Sequence, residues 1–375
     1  MRILFTSVAL PGHFFPLVPL AWTCRTLGHE VLIAVPDHFA ATAVRTGLPV
    51  ASSGAVPDFV DLQAGKAPPR SFEDGLVEHG EVFGRMAAGQ LAGVRTLVAS
   101  WRPDVVVSER AEFAGPLAAA ERGVARAEFQ WGIPSLDEYR TGAARVLAAE
   151  PGGLGAAGLP QPHLVFNAWP PSLRLAHAAG HRGVRHVAYN GDARVPGWAV
   201  APRRRPRVCV TLGTLLPRLG DAARPGALDR VLSDLRRLDV EVVVAVADDV
   251  AARWQPLPEQ VAHAGMLPLA QVLPACDVLI GHGGHGTTLT ALAAGRPQLL
   301  LPRFDDQVDN AGAVAKSGAG IRLYPEETGP GVIAEAVGAL LDDPRFGGAA
   351  ESVAAEIAAQ PPLADAAQDI LALAG

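Results

Sequence analysis

A glycine-rich loop in the last third of the chain is the strongest candidate for chemistry. Residues 281–287 read Gly-His-Gly-Gly-His-Gly-Thr and lie between an apolar run, 277–280, and a helix-like segment, 288–294. Glycines leave backbone N–H groups unshielded at the start of a helix, where the helix dipole favours a phosphate or diphosphate. A turn that needs glycine only for its positive φ would have the same composition, so both interpretations stay open. A zinc site built on His282 and His285 is a weaker alternative, because no third ligand has helical spacing to them.

Two further polar loops, at residues 7–15 and 211–214, directly follow apolar runs that predict strands. The first contains His13, whose imidazole titrates near neutral pH and is able to take a proton from an attacking hydroxyl. A single histidine after a strand is also common as a surface or capping residue. The second loop, Thr-Leu-Gly-Thr, offers two hydroxyls and backbone N–H groups. The chain thus contains three loops suited to an anionic or hydroxyl-bearing ligand.

Short β-branched runs that alternate with helix-length segments must position these loops. The first part of the chain predicts strands at 3–6, 31–35 and 104–108, with helices near 16–27 and 113–122. A second alternation predicts strands at 208–211, 242–246, 278–280 and 298–301, and final helices at 348–359 and 363–373. Such β-α-β order indicates parallel sheets with helices on both faces. Ligands bind such sheets at the carboxyl ends of strands where the strand order reverses, so two facing sheets would form a cleft.

The length of 375 residues, at roughly 150 residues per domain, also favours two domains or more. Residues 191–206 are rich in glycine, proline and arginine and have no periodic pattern, which is typical of a linker. We therefore predict an N-terminal domain over 1–190, a C-terminal domain over 207–355 and a last helical segment over 356–375.

The composition excludes several classes of protein. Hydrophobic residues make up 49% and charged residues 19%, which indicates a globular chain rather than a disordered one. A net charge of −6 makes nucleic acid a poor partner. The three cysteines form no disulfide pattern, which favours a reducing cytoplasm. Apolar runs fall short of the roughly 18 residues of a membrane span, and the N-terminus resembles a strand more than a signal peptide.

Several motifs together resemble one protein family. They are Gly12-His13-Phe14-Phe15-Pro16, Pro171-Ser172-Leu173, Thr211-Leu212-Gly213-Thr214, Pro268-Leu269, His282 to Thr287, Ala294-Gly295-Arg296-Pro297-Gln298, and Asp306-Gln307. Their order and spacing over nearly the whole chain resemble bacterial natural-product glycosyltransferases of family 1, which include enediyne and macrolide deoxysugar transferases. The resemblance implies the α/β GT-B fold. In that fold two Rossmann-like, doubly wound parallel-sheet domains face a cleft, and a C-terminal helix crosses back to the N-terminal domain.

The resemblance also implies a reaction. A deoxysugar would move from a dTDP-sugar to a hydroxyl of a hydrophobic aglycone in antibiotic biosynthesis, with inversion and without a metal or other cofactor. His13 would be the catalytic base and Glu109, at the end of a predicted strand, its acidic partner. The sequence leaves open whether Glu109 orients His13 or faces the acceptor.

The remaining site residues follow from the same resemblance. The expected donor-binding residues are Gly213, Thr214, Met266, Leu267, His282, Gly283, Gly284, His285, Gly286, Thr287, Asp306 and Gln307. The expected acceptor-binding residues are Phe14, Phe15, Phe59, Phe83 and Trp131. Asp306 has an alternative role as a helix cap. Met266 stands where the family usually has a tryptophan that stacks on the nucleobase, although a thioether also packs on a ring face.

Two other functions fit parts of the sequence. A sugar-nucleotide epimerase shares the fold but would not need His13 in its motif. A non-catalytic, nucleotide-binding accessory protein is favoured by Met266 alone, against intact His13, His282, Asp306 and Gln307. The expected partners are a small-molecule nucleotide sugar and an aglycone, with a homodimer as an option and neither nucleic acid nor membrane.

Overall fold

The computed structural model describes residues 1–66, 69–150, 154, 158–215, 218, 227–252 and 257–374, so Gly375 of the predicted last segment lies outside it. The strands are β1 (Arg2–Thr6), β2 (Glu30–Val35), β3 (Val50–Ser52), β4 (Val105–Glu109), β5 (Ala125–Gln130), β6 (Leu164–Asn167), β7 (Arg182–Gly183), β8 (Arg207–Thr211), β9 (Glu241–Ala245), β10 (Val261–Gly265), β11 (Val278–Gly281), β12 (Gln298–Leu300) and β13 (Gly320–Arg322).

The helices alternate with these strands through most of the chain. They are α1 (Pro11–Phe14), α2 (Val18–Thr26), α3 (Ala40–Val44), α4 (Phe59–Gln63), α5 (Phe72–Trp101), α6 (Ala114–Ala120), α7 (Asp137–Ala149), α8 (Ala227–Leu235), α9 (Asp248–Ala251), α10 (Leu269–Val272), α11 (His285–Ala293), α12 (Asp306–Lys316), α13 (Val332–Asp342), α14 (Pro344–Ala359) and α15 (Leu363–Ala372). In the described part of the chain, none of them has the length and apolar character needed to span a bilayer.

The N-terminal domain is built on a parallel sheet. Its strands, within the described residues, have the order β3-β2-β1-β4-β5-β6-β7. β1 and β4 lie at the centre and are buried along nearly their whole length, as expected for strands that helices cover on both faces. The strand order reverses between β1 and β4, so the carboxyl ends of these two strands form the point where such a sheet binds ligands.

The C-terminal domain repeats this design. Its described strands have the order β10-β9-β8-β11-β12-β13, and the order reverses between β8 and β11. The Thr211–Thr214 loop follows β8, and the glycine loop follows β11. All four residues of β11 are buried, which fixes the start of the glycine loop against the core. The two doubly wound parallel sheets predicted from the sequence are therefore confirmed.

The helix predicted near 16–27 is divided in the structure. Pro11–Phe14 form the short helix α1, residues 15–17 form a 3-10 turn, and α2 begins at Val18. Pro16 and Pro19 lack an N–H and fit only in the first turn of a helical segment, so the chain starts a new segment at each. His13 consequently lies on a helical turn and not in an irregular loop.

The last helices join the C-terminal domain to the N-terminal one. α14 packs on α11, whereas α15 packs on α2. Glu356 accepts the Ser172 backbone N–H at 2.9 Å, and Asp369 pairs with Arg182 at 2.6 Å. The C-terminal helix therefore crosses back to the N-terminal domain.

Candidate active site

The carboxyl ends of the two sheets meet at a large cleft with a volume of about 970 Å³. Its N-terminal wall includes His13, Phe15, Phe59, Phe83 and Trp131. Its C-terminal wall includes Gly213, Thr214, Met266, Leu267, His282, Gly284, His285, Gly286, Thr287, Asp306 and Gln307. Most of the residues that the sequence analysis selected thus surround one space. Three of the selected residues do not line the cleft, namely Phe14, Glu109 and Gly283.

His13 and Glu109 are brought together by neighbouring strands. His13 lies in α1, just beyond the end of β1, and Glu109 is the last residue of β4, which pairs with β1. His13 Nδ1 is 3.2 Å from Glu109 Oε2. This contact leaves the other imidazole nitrogen, Nε2, available, and 14% of the His13 side chain is exposed. The imidazole is therefore able to take a proton from a group in the cleft while Glu109 supports its opposite side.

Glu109 faces His13 and not the acceptor space. Its side chain is fully buried, and Oε2 also accepts the Trp131 indole N–H at 2.7 Å and the Ala111 backbone N–H at 2.8 Å. Burial acts to raise the pKa of Glu109, but His13 and the two N–H donors outweigh burial and lower that pKa below its usual value. Glu109 is an ionised, fixed partner of the imidazole.

Aromatic side chains surround His13 on the acceptor side. The ring centroids of Trp131 and Phe83 lie 4.3 and 5.4 Å from the centroid of His13. Phe59 packs on Phe83 at a centroid distance of 5.3 Å. A mostly apolar wall with one polar group is typical of sites that bind hydrophobic small molecules.

Phe14 does not belong to this wall, which corrects its predicted role in acceptor binding. Its side chain is completely buried and packs edge-on against Phe39 in the core of the N-terminal domain. Successive residues of a helix point in different directions, so the turn that places His13 in the cleft directs Phe14 into the core. Phe15, the next residue, lines the cleft.

The glycine loop leads from β11 into α11, with Gly284 as the N-cap. Gly286 and Thr287, in the first turn of this helix, line the cleft. Two structural constraints favour glycine at position 283. Its φ is 86°, and a Cβ there would lie 2.8 Å from the backbone oxygen of Gln307. Close packing against α12 thus requires Gly283, which does not line the cleft.

The loops after β8 and β11 meet at the His282 ring. Gly213 has a φ of 73°, and a Cβ there would lie 2.5 Å from His282 Cε1. Burial lowers the pKa of His282 to about 4, so the ring is neutral near pH 7. Its buried Nδ1 has no hydrogen-bond partner among the described residues. His282 is therefore a neutral ring and not a cation, and it contacts the Thr211 backbone.

Asp306 and Gln307 begin α12 at the opposite corner of the cleft. The alternative role of Asp306 as a cap is not observed, because Asp305 occupies the N-cap and Asp306 Oδ2 accepts a hydrogen bond from Asn310 at 2.6 Å. Burial, and then the neighbouring Asp305, raises the pKa of Asp306 to about 7. The charge of this carboxyl group therefore changes near neutral pH.

The sequence analysis missed the residues that hold this corner against the N-terminal domain. Asn310 Oδ1 accepts the Ile133 backbone N–H at 2.9 Å. Asp305 Oδ1 is 2.7 Å from Nδ1 of His79, which is 226 residues away in the chain. The positions of Asp305 and Asn310 beside the Asp306-Gln307 motif were the available signal, but their partners lie on another domain.

The chain matches two domain models of one protein family. Residues 81–213 match the N-terminal domain, and residues 229–373 the C-terminal domain, of proteins described as erythromycin biosynthesis protein CIII-like. The chain belongs to this glycosyltransferase family. This match favours a glycosyltransferase over the epimerase and over the non-catalytic accessory protein, because the named relatives of the chain are sugar transferases.

Curated relatives of this glycosyltransferase are deoxysugar transferases of antibiotic biosynthesis. It is 39% identical to L-demethylnoviosyl transferase of Streptomyces niveus over 333 residues, which cover 88% of this chain and 86% of the relative. It is 30% identical to 10-deoxymethynolide desosaminyltransferase of Streptomyces venezuelae, with 96% and 94% of the two chains covered.

Solved structures confirm the GT-B fold of this glycosyltransferase. The Streptomyces sp. SF2575 glycosyltransferase SsfS6, complexed with thymidine diphosphate, matches with a TM-score of 0.85 and 34% identity over 99% of both chains. The spinosyn rhamnosyltransferase SpnG, also complexed with thymidine diphosphate, matches with a TM-score of 0.87 and 30% identity over 99% of this chain and 100% of the other.

Met266 gives a first prediction for this glycosyltransferase. Its side chain lines the cleft and is 42% exposed, whereas Leu267 beside it is buried. The exposed position has room for a larger ring. We expect Met266→Trp to tighten dTDP binding, measured by calorimetry, by about 0.5–1.5 kcal/mol, the gain of an aromatic stack beyond burial.

A tryptophan at an exposed position outside the cleft wall, Val44→Trp, is the control and should leave dTDP affinity unchanged. Weaker dTDP binding by a folded Met266→Trp protein would show that Met266 does not contact the nucleobase.

Proposed function

We propose that this glycosyltransferase moves a deoxysugar from a dTDP-sugar to a hydroxyl of a hydrophobic natural-product aglycone, with inversion at the anomeric carbon. The observation that carries the proposal is the His13–Glu109 pair in an aromatic cleft wall, across from the glycine loop and Asp306. The thymidine diphosphate bound by SsfS6 and SpnG supports a dTDP donor.

In this mechanism His13 acts on the acceptor. The hydroxyl oxygen attacks the anomeric carbon while its proton moves to His13 Nε2. The bond between that carbon and the diphosphate oxygen breaks, and its electron pair leaves with dTDP. The imidazolium forms beside ionised Glu109, whose negative charge stabilises it. A single displacement from the face opposite the leaving group inverts the anomeric centre.

The donor side would stabilise the leaving diphosphate with fixed hydrogen-bond donors. The backbone N–H groups at the start of α11 and the hydroxyls of Thr214 and Thr287 line the same cleft as His282. Oriented donors of this kind stabilise developing charge without reorganisation, as a metal ion does in other enzymes. We therefore propose that transfer needs neither a metal ion nor another cofactor. A cytoplasmic location and a homodimer stay predictions from the sequence.

The proposed reaction is tested by incubating the purified enzyme with dTDP-deoxysugars and a panel of hydrophobic hydroxylated aglycones. We expect release of dTDP together with a glycoside whose anomeric configuration, determined by NMR, is opposite to that of the donor. A product that retains the configuration would contradict inversion, and hydrolysis of the donor without a glycoside would contradict transfer.

Metal independence gives a second prediction. Because the described donors are side chains and backbone amides, we expect EDTA to change neither the transfer rate nor the calorimetric affinity for dTDP. The matched control is the same assay after EDTA treatment and addition of excess Mg²⁺. Activity that EDTA abolishes and Mg²⁺ restores would show that the mechanism depends on a metal.

Asp306 gives a third prediction, which concerns pH. Its pKa of about 7 means that the ionised fraction rises as the pH rises through neutrality, and an ionised carboxylate accepts hydrogen bonds from sugar hydroxyls more strongly. The affinity for a dTDP-sugar, relative to that for dTDP, should rise by roughly tenfold between about pH 6 and pH 8. Asp306→Asn should remove this rise.

The matched control is Asp309→Asn on the same helix, which removes a carboxylate outside the cleft wall. This control should keep the pH dependence of the wild-type protein. An Asp306→Asn protein with the same pH dependence as wild type would show that Asp306 does not bind the sugar.

A further inference from the structure

Asp305, the residue just before the Asp306-Gln307 pair, has an unusual backbone conformation. Its φ is 51° and its ψ is −134°, a combination that a residue with a Cβ seldom adopts and that costs free energy unless its surroundings enforce it. Arg102 and Leu136 also have a φ of 51°, but their ψ values of 65° and 41° belong to the common left-handed helical region. The chain is therefore strained at the point where it enters α12.

The side chain of Asp305 does not offset this cost in the usual way. An aspartate at the N-cap of a helix normally accepts a hydrogen bond from the second or third N–H of that helix. Asp343, the N-cap of α14, accepts the Arg345 N–H at 3.0 Å, whereas Asp305 makes no such bond. Its Oδ1 instead lies 2.7 Å from Nδ1 of His79 on α5. An ionised carboxylate only accepts hydrogen bonds, so the Nδ1–H of His79 is the donor.

His79 joins Asp305 to the acceptor side of the cleft. The side chains of His79 and Asp305 are 22% and 12% exposed, so little water competes for their hydrogen bond. The His79 ring lies behind the cleft wall and packs against Phe59 and Tyr139 of that wall, at centroid distances of 5.9 and 6.4 Å. Burial, and then the nearby Asp305 carboxylate, raise the pKa of Tyr139 well above its usual value. Asp305 thus contacts the part of the N-terminal domain that supports the acceptor wall.

Asp306 is confined between the same two domains. Its side chain accepts the Asn310 amide N–H at 2.6 Å on one side. On the other side it lies against the backbone of Gly132, where an added Cβ would be 2.8 Å from Asp306 Cβ. Gly132 follows β5, and the next N–H, of Ile133, donates to Asn310 at 2.9 Å. A relaxed φ at Asp305 would therefore move the Asp306 carboxylate out of this narrow position.

We propose that Asp305 is a positioning residue for the donor's sugar: the hydrogen bond from His79 holds its strained backbone in the conformation that directs Asp306 and Gln307 toward the sugar. This inference rests on the proposed function, in which Asp306 binds sugar hydroxyls. Asp305 itself makes no bond to the donor. Without the His79 bond, relaxed conformations would replace the competent one, and the apparent affinity for the sugar would fall in proportion to the population lost. The N-terminal domain thereby completes a sugar site that belongs to the C-terminal domain.

Three substitutions at Asp305 separate the hydrogen bond from the backbone strain, with calorimetry of dTDP and of dTDP-glucose as the measurement. Asp305→Asn keeps an oxygen that accepts the His79 N–H, so it should retain most of the affinity for dTDP-glucose. Asp305→Ala loses this bond and keeps the strain, and should bind dTDP-glucose about tenfold more weakly, as for a lost hydrogen bond to a charged group. Asp305→Gly should lose less than Asp305→Ala, because glycine adopts a positive φ freely. The affinity for dTDP should stay unchanged in all three.

His79→Phe decides whether Asp305 positions its neighbours or touches the sugar. This variant removes the hydrogen bond from behind the cleft wall and leaves the side chains of the wall in place. We expect it to weaken dTDP-glucose binding as much as Asp305→Ala does, and the double variant to be no weaker than either single one, because both changes break the same contact. Unchanged affinity in His79→Phe beside a loss in Asp305→Ala would place Asp305 on the sugar and overturn the proposal.

The matched control is Asp343→Ala, which removes an N-cap aspartate outside the cleft wall. It should lower the melting temperature and change neither affinity. Equal losses of dTDP and dTDP-glucose affinity in Asp305→Ala would show a purely structural role, and an unchanged dTDP-glucose affinity would show no role; either result overturns the proposal. If Asp305→Ala does not fold, Asp305→Gly supplies the same comparison without the strain. Failure of the wild-type protein to bind either dTDP or dTDP-glucose is a separate result that would overturn the proposed function itself.

Discussion

Replacing His13 by alanine should lower sugar transfer by roughly 10²- to 10⁴-fold, the range for loss of a general base, while dTDP affinity stays nearly unchanged. The two effects differ because the two domains contribute different groups to the cleft. His13 belongs to the N-terminal wall beside Trp131 and Phe83, whereas the groups proposed to hold the diphosphate belong to the C-terminal domain. Single-turnover rates at saturating donor and acceptor, together with calorimetry of dTDP, measure the two effects separately.

A histidine outside the cleft wall supplies the control for this prediction. His29→Ala, just before β2, should transfer sugar at the wild-type rate. Near-normal turnover by the His13→Ala enzyme would exclude His13 as the base. A parallel loss of dTDP affinity would instead indicate that His13 supports the donor, which the geometry of the cleft does not predict.

The part of the site that the sequence predicts well is the part that strand order determines. His13 follows β1 and Glu109 ends β4, whereas Gly213 and His282 follow β8 and β11. These are the strand pairs at which the two sheets reverse their order. Apolar runs locate such strands, and parallel pairing brings their ends together whatever the residues between them are. The family motifs then predict which residues at those ends take part in the reaction.

Contacts between the domains are the part that sequence does not predict. The Asp305–His79 contact and the two hydrogen bonds that His285 accepts join residues from opposite domains, and no local pattern records such a pairing. The sequence also does not predict which way a side chain points within a turn. Phe14 and Phe15 are identical in type, but only Phe15 lines the cleft. The sequence therefore predicts which segments form the site better than it predicts which side chains complete it.

Glu109→Gln should lower the rate of transfer by about 10- to 100-fold while leaving dTDP affinity unchanged. The variant removes the negative charge of Glu109 but keeps the orientation of the His13 ring. Oε2 of Glu109 accepts N–H bonds from Trp131 and Ala111 in addition to His13. These donors require an oxygen at that place, so the glutamine amide must direct its carbonyl oxygen to them and leave the imidazole oriented as before. What the variant loses is the negative charge beside the developing imidazolium, and hydrogen bonds to charged groups are worth about 1.5–3 kcal/mol.

Two further variants complete this test, and single-turnover rates measure the effect of each variant. Glu109→Ala leaves four donors without an acceptor, namely the ring of His13, the indole N–H of Trp131 and the backbone N–H groups of Ala111 and Val8. It should therefore lose activity more severely and also unfold at a lower temperature, because unpaired buried polar groups destabilise the fold. The control, Glu30→Gln, removes an exposed carboxylate of β2 and should behave as wild type. Equal rates for Glu109→Gln and wild type would show that the charge of Glu109 takes no part in catalysis. In that case the buried carboxylate would serve only to hold the Trp131 and His13 rings in place, and the neutral amide would do so equally well.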